Sequence, residues 1–284
     1  MHLSLPALLY GLALILAANY EWRARNNGRL TALLSLGLTQ LDILWTNVEQ
    51  LVFRLNPFQQ PRFDRRKPVH RAAALLLLAQ LTWATLQLLS VGGAPEQTFF
   101  ETDLGGLLFN LAGVTFIYVM LSALGAGWGL RRDWRGVAQR LGLRLPTHQD
   151  WVAGLVFGSL LSVGMMLATL ALQSLGSADA SGARPLIHLL QESLPAALLV
   201  AMLAAAGEEI LFRGALQPVF GLFVSSLFFA LIHAQYGLSV ALLVLFFVGL
   251  GFGMVRMRFS TTAAIICHAT YNFLPFLLLR LPSA

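Results

Sequence analysis

Long apolar runs are the feature that most constrains the fold of this chain. They recur along nearly all of its 284 residues, of which 57% are hydrophobic and only 11% are charged. A helix needs about 20 apolar residues to cross a hydrocarbon core of about 30 Å, and backbone in lipid must satisfy its own hydrogen bonds. The sequence therefore predicts an all-α, polytopic transmembrane helical bundle with about eight spans. The predicted spans are residues 3–19, 70–91, 104–127, 151–176, 189–217, 219–236, 238–255 and 260–280.

Residues 30–55 differ from these runs because polar groups such as Asp42 and Arg54 interrupt an otherwise apolar helical pattern. The pattern indicates an amphipathic helix that lies in the membrane surface instead of crossing it. We expect two regions in the chain. Residues 1–148 form a three-span N-terminal region with the amphipathic helix and basic linkers, and residues 149–284 form a five-span region that carries the function.

The net charge of +6 is compatible with a nucleic-acid partner, but the distribution of the basic residues argues against one. With eight spans and an outside N-terminus, 17 of the 19 lysines and arginines fall in segments on the cytoplasmic side. Cytoplasmic segments of membrane proteins are enriched in these residues. The sequence therefore predicts a multi-pass protein of the cell membrane, with both termini outside and residues 20–69 and 128–150 in the cytoplasm.

Ionisable side chains within the predicted spans are few. Such groups are costly at bilayer depth, so each of them is a candidate for function. The set consists of Glu208, Glu209, Arg213, His233 and His268, with the amide of Asn272 one turn beyond the last histidine.

Their spacing suggests different roles for the two glutamates. Glu209 and Arg213 are four residues apart, so they share a helix face and can form an ion pair. Glu208 is turned by about 100° from its neighbour on a helix with about 3.6 residues per turn. We therefore expect Glu209 to be neutralised by the arginine and Glu208 to face a cavity.

The remaining polar groups can reach the same place. His268 and Asn272 share a face at four-residue spacing, as do Phe229 and His233. If Pro218 marks the turn between two spans, the glutamates and both histidines lie at depths that agree within about 10 Å, given a rise of about 1.5 Å per residue. The sequence predicts one polar cavity inside the membrane that opens toward the cytoplasm.

Three short motifs on three separate spans resemble a known family. They read EEILFR at 208–213, FALIH at 229–233 and HATYN at 268–272. Together they match the pattern EExxxR, FxxxH and HxxxN of the CAAX protease and bacteriocin-processing (CPBP) family of intramembrane proteases, which includes type II CAAX prenyl endopeptidase-like and Abi proteins. The resemblance covers roughly residues 150–280.

The resemblance implies a membrane endopeptidase that hydrolyses a peptide bond near the cytoplasmic side of the membrane. Its expected partners are membrane lipids and a peptide or membrane-protein substrate, and not nucleic acid. The roles that it implies are activation of water by Glu208 and His233, stabilisation of the oxyanion by His268 and Asn272, and support by Glu209, Arg213 and Phe229.

A metal-assisted mechanism is the alternative chemistry. Glu208, His233 and His268 are residue types that hold Zn²⁺ with a fourth position open for water. The chain has no HExxH motif, so spacing alone does not favour a metal. No cofactor is therefore favoured, and zinc is the alternative.

Two other classes of function are compatible with intramembrane polar groups. A non-catalytic membrane scaffold or bacteriocin-immunity protein could keep the motifs as a structural core, although that role does not need all of them. A proton-coupled transporter uses intramembrane acids and histidines, but such transporters often contain inverted repeats, and the sequence shows none. The glycine-rich stretch GLGFGM, residues 249–254, favours close helix packing over nucleotide binding because no strand precedes it.

Overall fold

Helices make up almost all of the structure, a computed structural model that describes residues 103–129, 132–174, 184–191, 193–233 and 240–280, with a few isolated positions before residue 75. The described residues contain no strand. The helices, numbered in chain order, are α1 Leu104–Gly125, α2 Trp134–Leu141, α3 His148–Ser174, α4 Arg184–Gln191, α5 Leu194–Glu209, a π-helix Ile210–Leu216, α6 Gln217–Leu231, α7 Val240–Arg258 and α8 Thr261–Leu278.

Five helical segments of the described chain are long and apolar enough to cross a membrane. This confirms the all-α, polytopic helical bundle, but it does not confirm a total of eight spans. The predicted spans 3–19 and 70–91 and the amphipathic helix 30–55 lie outside the described residues, apart from isolated positions. The five segments are Leu104–Gly125, His148–Ala171, Leu194–Leu231, Val240–Arg258 and Thr261–Leu278.

The segment Leu194–Leu231 reverses direction at Gly221. Its 38 residues would extend about 57 Å as a straight helix, nearly twice the thickness of a hydrocarbon core. Gly221 has φ 85° and ψ 173°, a conformation that only glycine adopts without strain. The ring of Phe229 lies 4.4 Å from the guanidinium carbon of Arg213, whereas a straight helix would separate these residues by about 24 Å.

The predicted turn at Pro218 is therefore wrong by three residues. Pro218 lies in the first turn of α6, which continues directly from the π-helix, so this proline does not end the helix. The prediction used proline as the helix breaker, but glycine supplies the positive φ that the reversal requires.

Hydrogen bonds join the end of α2 and the first turn of α3 to the beginning of α8. Thr261 Oγ1 donates to the Leu141 carbonyl oxygen at 2.6 Å, and Ser260 Oγ donates to Asp150 at 2.7 Å. Ser260 also caps α8 by accepting from the Ala263 N–H. The end of α7 and the starts of α3 and α8 therefore lie on the same side of the bundle.

This side also carries most of the arginines in the described chain, and we call it the arginine side. The Gly221 turn belongs to it as well, since Gln217 donates to the Gly253 carbonyl oxygen close to the end of α7. At the opposite side, Arg280 beyond α8 donates to the Gln191 carbonyl oxygen at the end of α4. The arginine side contains Arg132, Arg135, Arg140, Arg144, Arg256 and Arg258.

Candidate active site

A π-helix interrupts the segment that carries the first motif. Glu208 and Glu209 are the last two residues of α5, and Arg213 is the fourth residue of the π-helix Ile210–Leu216. All seven residues of the π-helix are buried. Short π-helical turns within α-helices occur frequently at functional sites, and this one separates the two glutamates from the Gly221 turn.

Glu209 binds two partners on different helices. Its Oε1 accepts a hydrogen bond from His268 Nδ1 at 2.9 Å, and its Oε2 lies 3.2 Å from Arg213 Nε. The glutamate and arginine side chains are fully buried. The ion pair follows the predicted four-residue spacing, but the bond to His268 was not predicted, because helical spacing relates only residues of one helix.

Three contacts offset the cost of burying the charge of Arg213. Besides its ion pair with Glu209, its Nη2 donates to the Gly249 carbonyl oxygen on α7 at 2.9 Å. Its guanidinium carbon lies 4.4 Å from the centre of the Phe229 ring, which provides a cation–π contact. A buried cation needs such partners because desolvation is costly, so Arg213 joins three elements of the site.

The His268 imidazole lies between aromatic rings. It stacks on Phe252 with ring centres 4.4 Å apart and meets the Phe229 ring edge-on at 5.8 Å. Because Nδ1 donates to a carboxylate, the remaining ring nitrogen, Nε2, is the atom that is left for a substrate or an ion. Phe252 was not predicted as a site residue, since its motif GLGFGM was interpreted only as helix packing.

His233 follows the end of α6 and contacts the same phenyl ring. Its ring centre lies 5.3 Å from that of Phe229. Its Nδ1 donates to the Phe229 carbonyl oxygen at 2.9 Å, which places the proton on Nδ1 and the lone pair on Nε2 of the neutral ring. One phenyl ring thus lies against both predicted histidines.

Glu208 differs from Glu209 in its surroundings. Its side chain is partly buried, and its Oε2 is a buried atom with no hydrogen-bond donor in the described part of the chain. It interacts electrostatically with His268, Glu209 and Arg213, and we call these four residues the charged cluster. Asn272 lies one turn beyond His268 on α8 and is half-buried.

The described residues contain no group of three His, Cys, Asp or Glu side chains that could hold a metal ion. Glu208, His233 and His268 are thus not assembled as a ready ligand set. Each histidine uses Nδ1 to bind a protein oxygen, so a zinc ion at this site would have to bind the Nε2 atoms. The donor types suit zinc, and the zinc alternative stays a prediction.

The glycines of GLGFGM bring α7 close to the charged cluster. Arg213 donates to the carbonyl oxygen of Gly249, and Gln217 donates to the carbonyl oxygen of Gly253. The two donors are four residues apart in the chain, and so are the two glycines. A Cβ atom at Gly253 would lie 2.3 Å from Leu222. This close approach agrees with the predicted helix packing.

A comparison with known families finds one family model that matches residues 190–274. The match is to the Rce1-like family of type II CAAX prenyl endopeptidases. Residues 190–274 contain all three motifs and every residue of the charged cluster. The match confirms the family that the motifs predicted. Because the Rce1-like family is a protease family, the match supports a membrane endopeptidase. No curated protein and no solved structure matches the chain.

Proposed function

We propose that this chain is an intramembrane endopeptidase in which Glu208 and His233 activate a water molecule for attack on a peptide bond. The observation that carries the proposal is the contrast between the two adjacent glutamates. Glu209 forms an ion pair with Arg213 and accepts a hydrogen bond from His268, whereas the buried Oε2 of Glu208 has neither an ion pair nor a hydrogen-bond donor in the described chain. A buried carboxylate oxygen requires a hydrogen-bond partner, and a nucleophilic water is one that fits.

The proposed reaction starts at this carboxylate. The water oxygen attacks the carbonyl carbon of the peptide bond while its proton moves to Glu208. The carboxyl then donates that proton to the departing amine as the C–N bond breaks, which completes general base and general acid catalysis by one group. His233 supports the attack because the Nε2 lone pair of its neutral ring can accept a hydrogen bond from the water.

His268 and Asn272 are the proposed donors to the oxyanion. Glu209 orients the His268 ring by accepting a hydrogen bond from its Nδ1. When Nε2 also carries a proton, this Nε2–H and the amide of Asn272 can both donate to the oxygen that becomes negative in the transition state. Donors held in place before the reaction contribute strongly to such stabilisation.

We infer that cleavage takes place near the cytoplasmic face. Glu209 precedes the Gly221 turn by twelve residues and His233 follows it by twelve, so both arms of the hairpin lead from the site to this turn. The turn belongs to the arginine side, and cytoplasmic ends of spans are rich in arginine. The proposed substrate is therefore a peptide segment anchored in, or crossing, the membrane.

A comparison of peptide termini in cell membranes tests this function. Membranes would be prepared from cells that express the wild type, Glu208→Gln or the control Gln139→Glu, which makes the reverse exchange at an exposed position on α2. We expect a set of new termini with the wild type and the control, and their loss with Glu208→Gln. Identical termini in all three samples, at equal protein levels, would instead indicate a scaffold or immunity protein.

A further inference from the structure

One face of α3 meets α8 through glycine residues. Gly154 and Gly158 are four residues apart, so they lie on the same face of α3. A Cβ atom at Gly154 would lie 2.5 Å from the Ile266 side chain, and a Cβ atom at Gly158 would overlap the carbonyl oxygen of Cys267. The next residue of α8 is His268, so the two helices approach each other most closely beside the candidate active site.

A glycine face brings two helices close together but gives little control over how far one is shifted along the other. Side chains form the ridges that fit into the grooves of a neighbouring helix, and glycine contributes none. His268 depends on this shift because its hydrogen bond to Glu209 joins α8 to a different helix. Such N–H···O bonds require distances of about 2.7–3.2 Å. A directional contact between α3 and α8 would therefore help to place the imidazole.

Asp150 lies on the glycine face of α3, four residues before Gly154, and its side chain is fully buried. Its Oδ1 accepts from Ser260 Oγ at 2.7 Å and from Arg144 Nη2 at 2.9 Å. Its Oδ2 accepts from the Thr147 N–H at 2.8 Å and from Thr147 Oγ1 at 2.7 Å. A carboxylate offers about four lone-pair sites, so the four donors fill them.

The donors to Asp150 come from the two segments that hold the start of α8. Ser260 is the N-cap of α8. The other three donors belong to the connector between α2 and α3, residues 142–147. This connector also binds α8, because Thr262 Oγ1 donates to the Arg144 carbonyl oxygen at 2.8 Å. Asp150 thus joins α3 to the start of α8 both directly and through the connector.

We propose that Asp150 is a positioning residue that sets the register of α8 against α3 and thereby places His268 at Glu209. Ser260 lies eight residues before His268 on the same helix, so a shift of α8 at its start moves the imidazole by the same distance. The inference rests on the proposed function for what His268 does in the reaction. The bond from His268 to Glu209 can nevertheless be observed without a substrate.

Asp150→Asn tests the proposal because it keeps the shape of the side chain but leaves one oxygen to accept bonds from four donors. The full-length protein with isotope-labelled histidine would be studied by NMR in detergent, at a temperature well below the Tm. The signal of the His268 Nδ1–H group is identified by its loss in His268→Ala. We expect this signal to shift or broaden in Asp150→Asn, and cleavage of a substrate to fall by up to about 100-fold.

Asp133→Asn is the matched control because it makes the same exchange at an exposed position, the N-cap of α2, where asparagine is an equally good residue. It should keep the wild-type His268 signal. A wild-type signal in Asp150→Asn, even with a lowered Tm, would show a purely structural role and overturn the proposal. Ser260→Gly decides the matter if Asp150→Asn folds poorly, since it removes the donor to Asp150 and glycine is tolerated at an N-cap.

Failure of this proposal and failure of the proposed function give different results. A changed His268 signal in Asp150→Asn without any loss of cleavage would support the positioning by Asp150 and exclude His268 from the reaction. An unchanged signal in Asp150→Asn, together with loss of cleavage in His268→Ala, would overturn the positioning and leave the proposed reaction intact.

Discussion

The Nδ1 atom of His268 lies 2.9 Å from Oε1 of Glu209, although the two residues are 59 positions apart in the chain. This bond connects α8 to the junction of α5 and the π-helix, and the same carboxylate binds Arg213. Glu209 thus holds two helices and a buried cation together. Its neighbour Glu208 has no comparable contact within the described chain, so substitutions at the two glutamates should have different effects.

Glu209→Gln should destabilise the protein, whereas Glu208→Gln should not. Removing the charge of Glu209 leaves Arg213 buried without its carboxylate, and breaking such a pair costs about 3–5 kcal/mol. Glu208→Gln keeps the shape of the side chain and removes only the proposed base. Expression yield and thermal unfolding in detergent would compare the two variants. A lower Tm for Glu208→Gln than for Glu209→Gln would contradict the assignment of their roles.

Substitutions of the two histidines should differ in their effect on stability but not in their effect on activity. His268→Ala should lower the free energy of unfolding by about 1–3 kcal/mol, since it removes a donor from a buried carboxylate. His233→Ala should have a smaller effect, because the structure gives its Nδ1 a backbone oxygen as its partner. Both should abolish cleavage of a substrate found by terminal proteomics. A His233→Ala protein with full activity would exclude His233 from water activation.

Gly158→Ala should separate α3 from α8 close to His268. A Cβ atom at Gly158 would lie 2.4 Å from the Cys267 carbonyl oxygen and 2.7 Å from Thr270. Overpacking of this kind costs about 1–3 kcal/mol. Gly164→Ala, on the same helix with no atom near its Cβ position, is the control and should gain about 0.5–1 kcal/mol of helix stability. Equal Tm values for both variants would refute the close packing of α3 on α8.

Removal of metal should leave the proposed activity intact. The mechanism uses carboxylate, imidazole and amide groups of the chain, so it requires no Lewis acid. Cleavage would be measured before and after dialysis against a strong zinc chelator, and the zinc content of the purified protein would be determined. One zinc ion per chain together with loss of cleavage on chelation, restored by added zinc, would establish the metal-assisted alternative.

Labelling of single cysteines should reveal the orientation in the membrane. In a Cys267→Ala background, Arg135→Cys lies on the arginine side and Asp103→Cys lies at the opposite end of α1. Both positions are exposed. We expect an impermeant thiol reagent to label Asp103→Cys in intact cells and Arg135→Cys only after permeabilisation. Labelling of Arg135→Cys alone from outside would place the arginine side outside and reverse the proposed topology.

The sequence predicted several of the described helices well because the cost of polar groups in lipid governs where spans begin and end. The predicted spans 104–127, 238–255 and 260–280 differ from α1, α7 and α8 by at most three residues at either end. The turn was less predictable. Pro218 and Gly221 are both helix breakers in a sequence, and only the backbone conformation distinguishes them.

Contacts between helices were beyond what spacing could predict. The pairing of Glu209 with Arg213 follows from the geometry of one helix. The bonds from His268 to Glu209 and from Arg213 to Gly249 depend on how helices are rotated against each other. The π-helix adds to this difficulty, because it changes the rotation per residue within the motif EEILFR and has no sequence pattern of its own.

The Gly221 turn has a consequence for how the protein responds to its membrane. Glu209 lies twelve residues before Gly221 on one arm of this hairpin, and His233 lies twelve residues after Gly221 on the other arm. Their relative height is therefore a property of the hairpin and does not depend on the thickness of the surrounding bilayer. A thinner or thicker membrane would shift the whole hairpin relative to lipid, so the substrate bond presented to the site would change while the site itself kept its geometry.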